Sequence, residues 1–277
     1  MATSAPLLVA SDIDGTFIDS RERVSPRLKA VIARMLRKGV PLTLATGRPP
    51  RWMYPVLEQL TVQPLCICAN GAIIYDSKTD KVVSARTLAP QVQHEVISRA
   101  RAAMEQHGLS LGVAVERPGT SALDPAEELF VVSFGYDHAW ESALHGTCSE
   151  DTVTGAPCTK LLLRSTEIPS AQMFDIIAPA IPTDLAHITY SMPDGLLEIS
   201  APGVTKQVGL AEVAALVGAE PSDVVCFGDM PNDREMLQWA GTGVAMGNAH
   251  ESVQAIADEI TATNNDDGVA RVLERWF

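Results

Sequence analysis

Short apolar runs alternate with helix-like segments over the first part of the chain. The runs are 7–10, 42–45 and 65–69. Their unbroken apolar character is typical of parallel strands that are buried on both faces. After the first run, Ser25 and Pro26 form a helix start, apolar residues recur at helical spacing, and Gly39 ends the segment. A second helix is predicted over 52–60. This rhythm predicts an α/β unit built on a parallel sheet.

The pattern changes near residue 83 and changes back near residue 196. In the middle segment, helices are predicted over 92–106 and 170–178, and strands over 109–115, 129–134, 159–163 and 187–192. From 196 the first rhythm returns, with strands over 224–227 and 243–246 and helices over 206–217, 231–239 and 268–276. The sequence therefore predicts a discontinuous core of 1–82 and 196–277, interrupted by an inserted α/β domain of 83–195.

Composition limits the classes of function that the chain can have. It is 46% hydrophobic, which is enough for a sizeable core, and its formal net charge of −13 disfavours nucleic acid and anionic membranes as partners. Membrane-length apolar runs and a signal-peptide pattern are both absent, so we expect a cytoplasmic protein. Cys66 and Cys68 lie in the apolar run PLCICA, and we expect free thiols in the core.

Three of the predicted strands end in small and polar residues. Ligands of open α/β sheets bind beyond the carboxyl ends of the strands. If the strands at 7–10, 42–45 and 224–227 are neighbours, their ends gather four side chains at one place, namely Asp12, Asp14, Thr46 and Asp229. Asp233 follows Asp229 at a spacing that puts both on one face of a helix start.

So many carboxylates at one place require a positive counter-charge. Two carboxylates about 4 Å apart repel by roughly 4 kcal/mol at an effective dielectric constant of about 20. Mg²⁺, which prefers oxygen ligands, would offset this repulsion, and Arg48 and Lys206 are candidate basic partners. Taken singly, each residue also fits a structural role, such as a strand-end loop residue, a helix cap or a solvated surface charge. Taken together, they favour a functional site.

The ordered set of motifs resembles the haloacid dehalogenase superfamily, specifically its Cof-like subfamily IIB. The motifs are DIDGT at 12–16, ATGR at 45–48, Lys206 in APGVTK, and GDMPND at 228–233. Further matches are NGA at 70–72, GVAMGNA at 243–249 and NDDGVA at 265–270. The resemblance implies a Rossmann-like, doubly wound parallel sheet as the core and an inserted α/β cap domain of type C2 that sets substrate specificity.

The resemblance also implies a role for each motif residue. Asp12 would be the nucleophile that forms an aspartyl-phosphate, Asp14 the general acid and base, and Thr46 and Lys206 partners of the phosphoryl group. Mg²⁺ would be held by Asp12, the Asp14 backbone carbonyl and Asp229, with Asp233 in support. Substrate contacts would come from Gly15, Gly47, Arg48, Asn70 and Asn232.

Asp14 separates branches of this superfamily. Its dehalogenases lack the second aspartate and its transport ATPases have threonine there, so the resemblance implies a phosphatase or a phosphomutase. We expect a Mg²⁺-dependent phosphatase of a small phosphorylated metabolite, with a sugar phosphate as the commonest choice and a phosphorylated cofactor as another. A phosphotransferase or mutase, and a non-catalytic metal-binding protein, are the alternatives. The sequence leaves the substrate and the oligomeric state open.

Overall fold

The chain folds into two compact units. The computed structural model describes residues 4–138 and 145–277. Unit 1 comprises the described residues up to Val83 together with Thr205–Phe277, and unit 2 comprises those of Ser84–Val204. The chain therefore re-enters unit 1 at Thr205, later than the expected boundary at 196.

The strands of the described residues are numbered in chain order. They are β1 Leu8–Ser11, β2 Leu42–Ala45, β3 Leu65–Cys68, β4 Ile73–Asp76, β5 Lys81–Ala85, β6 Gly112–Glu116, β7 Phe130–Ser133, β8 Gly146–Cys148, β9 Lys160–Arg164, β10 His187–Thr189, β11 Leu196–Ser200, β12 Val224–Gly228, β13 Thr242–Ala245 and β14 Glu259–Ile260.

The α-helices are numbered in the same way. They are α1 Pro26–Arg37, α2 Tyr54–Leu57, α3 Pro90–Glu105, α4 Ala126–Leu129, α5 Glu150–Val153, α6 Ser170–Ile177, α7 Lys206–Val217, α8 Arg234–Trp239, α9 Glu251–Gln254 and α10 Gly268–Leu273. No helix within 4–138 and 145–277 is long and apolar enough to cross a membrane.

Unit 1 is built on a mainly parallel sheet. Over the described residues it has eight strands in the order β14-β13-β12-β1-β2-β3-β4-β5. The pairs from β14 to β3 are parallel, and β4 returns antiparallel to β3. The central strands β1, β2 and β12 are fully buried, which explains their unbroken apolar runs. Cys66 and Cys68 are buried thiols in β3, as expected.

Unit 2 is built on a second sheet, which is mostly antiparallel. The order over its described residues is β10-β11-β9-β6-β7-β8, and β7 and β8 form a parallel pair. Helices α3 and α6 cover one face, where Val96 and Met173 pack with Leu161, Leu163 and other sheet residues. Strand β11 pairs with β9 and β10. The 196–200 segment therefore belongs to the inserted unit. The expected boundary at 196 lies too early in the chain, because unit 2 continues to Val204.

Two predicted helices are broken. The segment 52–60 forms a 3₁₀ turn, Pro50–Trp52, followed by the short α2. Pro55 explains the break, because proline inside a helix lacks the amide hydrogen and clashes with the carbonyl four residues earlier. The segment 231–239 begins with a 3₁₀ turn, Pro231–Asp233, and becomes α8 only at Arg234.

Candidate active site

The polar ends of three neighbouring strands meet at one edge of the unit 1 sheet. Strands β12, β1 and β2 are adjacent and parallel, as the convergence of their ends requires. Asp12 directly follows β1, and its amide donates to the Phe227 carbonyl at 2.9 Å. Thr46 directly follows β2, and Asp229 follows β12. The sheet order therefore gathers these residues as the strand ends predict.

Lys206 connects the acidic residues from the first turn of α7. Its Nζ donates to Oδ1 of Asp12 and to Oδ1 of Asp233, both at 2.6 Å, and the residue is 1% exposed. The helix begins there because the Thr205 side chain caps it by accepting from the Val208 amide. A Cβ atom built at Gly71 would lie 2.0 Å from the Thr205 carbonyl oxygen. Only glycine therefore allows this helix start to lie so close to the end of β3.

Three buried carboxylates form the acidic cluster, which we define as Asp12, Asp229 and Asp233. One carboxylate oxygen from each lies within 4.8 Å of the others. Asp233 is fixed in place because its Oδ2 accepts from the amides of Asp229 at 2.9 Å and Met230 at 3.0 Å. The carboxylates outnumber the single lysine that contacts them among the described residues, and carboxylate oxygens suit Mg²⁺. The acidic cluster therefore fits a hard divalent cation.

Burial is the largest single influence on the pKa values of Asp12, Asp229 and Lys206. Desolvation raises the pKa of Asp12, against the opposing effect of Lys206. Burial and the Asp233 charge likewise raise the pKa of Asp229 to about 7. Burial alone would lower the pKa of Lys206, but the charges of Asp12 and Asp233 outweigh it, and the pKa rises. Lys206 is therefore a permanent cation, and additional positive charge would favour the ionised acids.

A tight turn carries the chain from Asp12 past the acidic cluster. Asp14 and Gly15 have the φ and ψ angles of a type II turn, with φ of 78° at Gly15. A Cβ atom at Gly15 would lie 2.3 Å from Oδ2 of Asp229, so the backbone passes directly against that carboxylate. Thr16 Oγ1 donates to Asp229 Oδ1 at 3.0 Å. The sequence motif contains Thr16, but nothing in its spacing indicates this contact.

The side chain of Asp14 lies apart from the acidic cluster. It is 54% exposed and is held by Arg48, whose Nε donates to Oδ2 at 2.8 Å and whose Nη2 donates to Oδ1 at 2.5 Å. The Arg48 amide donates to Thr46 Oγ1 at 3.0 Å. Gly47, half-buried, joins these two residues. In this conformation Arg48 contacts Asp14, and the Thr46 hydroxyl holds the loop that carries Arg48.

Two asparagines face each other beside the acidic cluster. Asn232 Nδ2 donates to Asn70 Oδ1 at 3.0 Å. Asn70 has a φ of 56°, a left-handed conformation that asparagine tolerates better than most residues. Asn232 is 6% exposed, and its Oδ1 is buried without a hydrogen-bond partner within 4–138 and 145–277. An unsatisfied buried acceptor is costly, which is consistent with a ligand at this place.

Comparison with known proteins identifies the family to which the chain belongs. The family model of haloacid dehalogenase-like hydrolases matches residues 9–273. A 5-amino-6-(5-phospho-D-ribitylamino)uracil phosphatase of Bacillus subtilis is 29% identical over 276 residues, covering 98% of each chain. A second B. subtilis phosphatase of the same name is 28% identical over 269 residues, covering 97% of this chain and 95% of its own.

Solved structures share the fold over nearly the whole chain. A haloacid dehalogenase-like hydrolase from Bacteroides thetaiotaomicron is 25% identical with a TM-score of 0.74, covering 99% of this chain and 100% of its own. A sugar phosphatase of haloacid dehalogenase subclass IIB is 24% identical with a TM-score of 0.76, covering 98% of each chain. The curated relatives reported above are named as phosphatases, and the family match over 9–273 shows that the chain belongs to the haloacid dehalogenase-like hydrolases.

Proposed function

We propose that the protein is a Mg²⁺-dependent phosphatase that hydrolyses a small phosphorylated metabolite through an aspartyl-phosphate on Asp12. The observation that carries this proposal is the buried contact of Lys206 with Asp12 and Asp233 inside the acidic cluster. A buried lysine that holds one oxygen of Asp12 orients the carboxylate and leaves its other oxygen for attack. Family membership supports the same reaction.

The metal would be held by Asp12, the Asp14 backbone carbonyl and Asp229. Asp233 would support it from outside these ligands, since both its oxygens already accept hydrogen bonds. When bound, Mg²⁺ would offset the negative charge of the carboxylates and of the phosphoryl oxygens. Lys206 would supply the remaining positive charge at Asp12.

In the first step, a carboxylate oxygen of Asp12 attacks phosphorus and the bond from phosphorus to the leaving oxygen breaks. Asp14 gives its proton to that oxygen, so the product leaves as an alcohol. The Asp14 side chain must release Arg48 to do so, because Arg48 holds both its oxygens. Arg48 is then available to an anionic phosphoryl group. Thr46, the turn amides near Gly15 and Gly47, and the Asn70–Asn232 pair would complete the substrate contacts.

In the second step, water replaces the leaving group. The Asp14 carboxylate takes a proton from water, the water oxygen bonds to phosphorus, and the bond between phosphorus and Asp12 breaks. Inorganic phosphate leaves, and both aspartates return to their starting states. A phosphomutase would instead transfer the phosphoryl group to a sugar hydroxyl, so the product distinguishes the two reactions.

The names of the relatives support a more specific proposal for the substrate class. The two B. subtilis relatives are named for a phosphorylated ribitylamino compound, and one structural neighbour is described as a sugar phosphatase. We propose a primary phosphate ester of a polyol or sugar as the substrate. The acidic net charge of −13 makes a large polyanion an unfavourable partner.

The test is a phosphate-release screen with purified protein and Mg²⁺. The panel should contain sugar phosphates, 5-amino-6-(5-phospho-D-ribitylamino)uracil, flavin mononucleotide and pyridoxal phosphate, with isomerised products measured in parallel. We expect phosphate release that requires Mg²⁺ and is lost in Asp12→Asn. Isomerised product without phosphate would support a mutase instead. Equal turnover by Asp12→Asn would refute the proposed nucleophile.

A further inference from the structure

The loop after β13, residues 246–250, runs alongside the end of β12. Two backbone hydrogen bonds hold it there: Met246 N donates to Gly228 O at 3.1 Å, and His250 N donates to Asp229 O at 2.8 Å. A third, from Gly247 N to Ala262 O at 3.1 Å, ties the loop to the chain just after β14. The loop is therefore fixed to the strand end that carries Asp229. It contains Asn248, which belongs to a sequence motif with no role in the mechanism above.

Asn248 reaches from this loop to the Asp12–Phe17 segment. Its Nδ2 donates to the carbonyl oxygen of Gly15 at 2.8 Å, and its Oδ1 accepts from the backbone amide of Asn264 at 3.0 Å. Asn264 in turn donates from Nδ2 to the Ile18 carbonyl at 2.9 Å. The two asparagines thus hold the turn at Gly15 and the chain just beyond it.

We propose that Asn248, supported by Asn264, is a positioning residue that holds the Gly15 turn against Asp229 and so preorganises the metal site. The inference rests on the proposed function, because it takes the acidic cluster as the metal site. The hydrogen bonds given for the Asn248 side chain go to the backbone of Gly15 and Asn264 rather than to the carboxylates of the acidic cluster. It acts through the backbone of Gly15, which directly abuts Asp229.

The electrostatics of the cluster explain why such a brace is useful. When no metal is bound and both are ionised, Asp12 and Asp229 repel each other, because Lys206 is paired with Asp12 and Asp233. Repulsion would tend to move the turn away from the end of β12. A neutral amide that bridges the turn to the Asp229 loop opposes this movement without adding charge. The metal ligands are then close to their bound positions before the metal arrives.

The test is Mg²⁺ affinity measured by isothermal titration calorimetry on metal-free protein without substrate. Asn248→Ala removes the bridge at an exposed position, so we expect a folded protein whose Mg²⁺ dissociation constant rises about fivefold, as for the loss of one hydrogen bond. Asn264→Ala should raise the Mg²⁺ dissociation constant less, because the backbone amide at position 264 still donates to Asn248. Gln254→Ala is the matched control, since this amide contacts the same loop at Ala249 and Gly247 but does not reach Gly15.

Each outcome has a definite meaning. If the wild-type protein binds no Mg²⁺, the proposed metal site fails, and the brace fails with it. If the wild-type protein binds Mg²⁺ and Asn248→Ala binds it equally well, only the brace is wrong. Equal weakening by Gln254→Ala would also overturn the brace, because it would show a general effect of loosening the loop. Thermal melts of all the metal-free variants identify any that fail to fold, and Asn248→Ser then replaces Asn248→Ala.

Discussion

At the scale of single residues, the site depends on one lysine that is shared by two acids. Lys206 contacts Asp12 and Asp233 with the same atom, and Asp233 uses its other oxygen for backbone amides. Asp12 is therefore oriented through a chain of contacts that is anchored in the backbone of the β12 loop. Asp14 differs in environment, because it is exposed and paired with Arg48. Two aspartates of one motif thus receive environments that suit a fixed nucleophile and a movable proton carrier.

Replacement of Asp14, the proposed proton carrier, should slow the reaction without abolishing it. We expect Asp14→Asn to lower kcat by roughly 10²–10⁴, because general acid catalysis contributes about that much. The loss should shrink for an aryl phosphate whose leaving group needs no proton. The measurement is kcat for an alkyl phosphate and an aryl phosphate, with the unchanged enzyme alongside. An equal loss on both substrates would contradict the acid role.

Removal of the lysine should destabilise the metal-free protein. In Lys206→Met, Asp12 and Asp233 lose their buried cation, and breaking a buried ion pair from one side costs about 3–5 kcal/mol. The loss should appear as a lower free energy of unfolding in urea, and Mg²⁺ should restore part of it. Lys29→Met, on the exposed surface of α1, is the control and should unfold like the wild-type protein. Unchanged stability of Lys206→Met would show that the pair contributes little.

At the scale of secondary-structure elements, two glycines allow α7 to approach the sheet. Gly209 faces Ile67, whose Cγ2 would lie 2.4 Å from an added Cβ, and Gly71 faces the Thr205 carbonyl at 2.0 Å. The first turn of the helix, which carries Lys206, thereby lies beside the ends of β1 and β3. Because of this close approach, the first turn of α7 lines the site and brings Lys206 into contact with Asp12 and Asp233.

Crowding at Gly71 should therefore affect catalysis as well as stability. Gly71→Ala places a methyl group against the Thr205 carbonyl, so we expect loss of about 1–3 kcal/mol of stability and at least tenfold lower kcat as Lys206 shifts. Gly218→Ala is the matched control, because Gly218 ends the same helix with a φ of 71° and has open space around its Cβ position. Gly71 also has a positive φ, of 96°. Both substitutions therefore strain the backbone, but only Gly71→Ala adds crowding. Stability is measured by urea unfolding and kcat with the best substrate of the screen.

A kcat for Gly71→Ala equal to that of Gly218→Ala would contradict this account. It would mean that the helix start adjusts to the methyl group without moving the lysine.

The sequence predicts elements better than it predicts their partners. The runs that form β1, β2 and β12 can be recognised because both faces of each strand are buried. The run 196–200 has the same buried character, yet β11 pairs within unit 2. Apolar periodicity reports burial and not the neighbouring strand, which explains the misplaced boundary. Motif spacing similarly predicts the acids of the site, but not the contacts of Asp14 with Arg48 or of Asn248 with Gly15.

At the scale of the whole molecule, a chain of net charge −13 carries a site that we propose binds an anionic substrate. The overall field repels phosphate, so attraction must come from charges within the site. Lys206 is already neutralised by its carboxylates, and Arg48 is paired with Asp14. A divalent cation would therefore supply much of the positive charge that a phosphoryl group meets. Binding of Mg²⁺ should therefore raise the affinity for the phosphorylated substrate, and binding of the substrate should raise the affinity for Mg²⁺.

Stability of the metal-free protein should fall as the pH rises towards neutrality. The pKa of Asp229 is about 7 in the folded chain, against an ordinary value of 3.8. Because the folded state holds this proton more tightly, the contribution of Asp229 is fully present below about pH 4 and is lost as the pH rises through about 7. At about 1.4 kcal/mol per pKa unit, the rise from 3.8 to about 7 corresponds to a contribution on the order of 4 kcal/mol.

Mg²⁺ should reverse this trend, because it binds the ionised carboxylate that burial penalises. A proton with a pKa of about 7 competes with the metal, so Mg²⁺ affinity should be roughly tenfold weaker at pH 6 than at pH 8. Thermal melts at both pH values, with and without Mg²⁺, measure the effect as a larger Mg²⁺-induced rise in Tm at pH 8. In Asp229→Asn, both the Mg²⁺-induced rise and the pH trend attributed to this carboxyl should disappear. The same Tm rise at both pH values in the wild-type protein would show that another group controls the metal site.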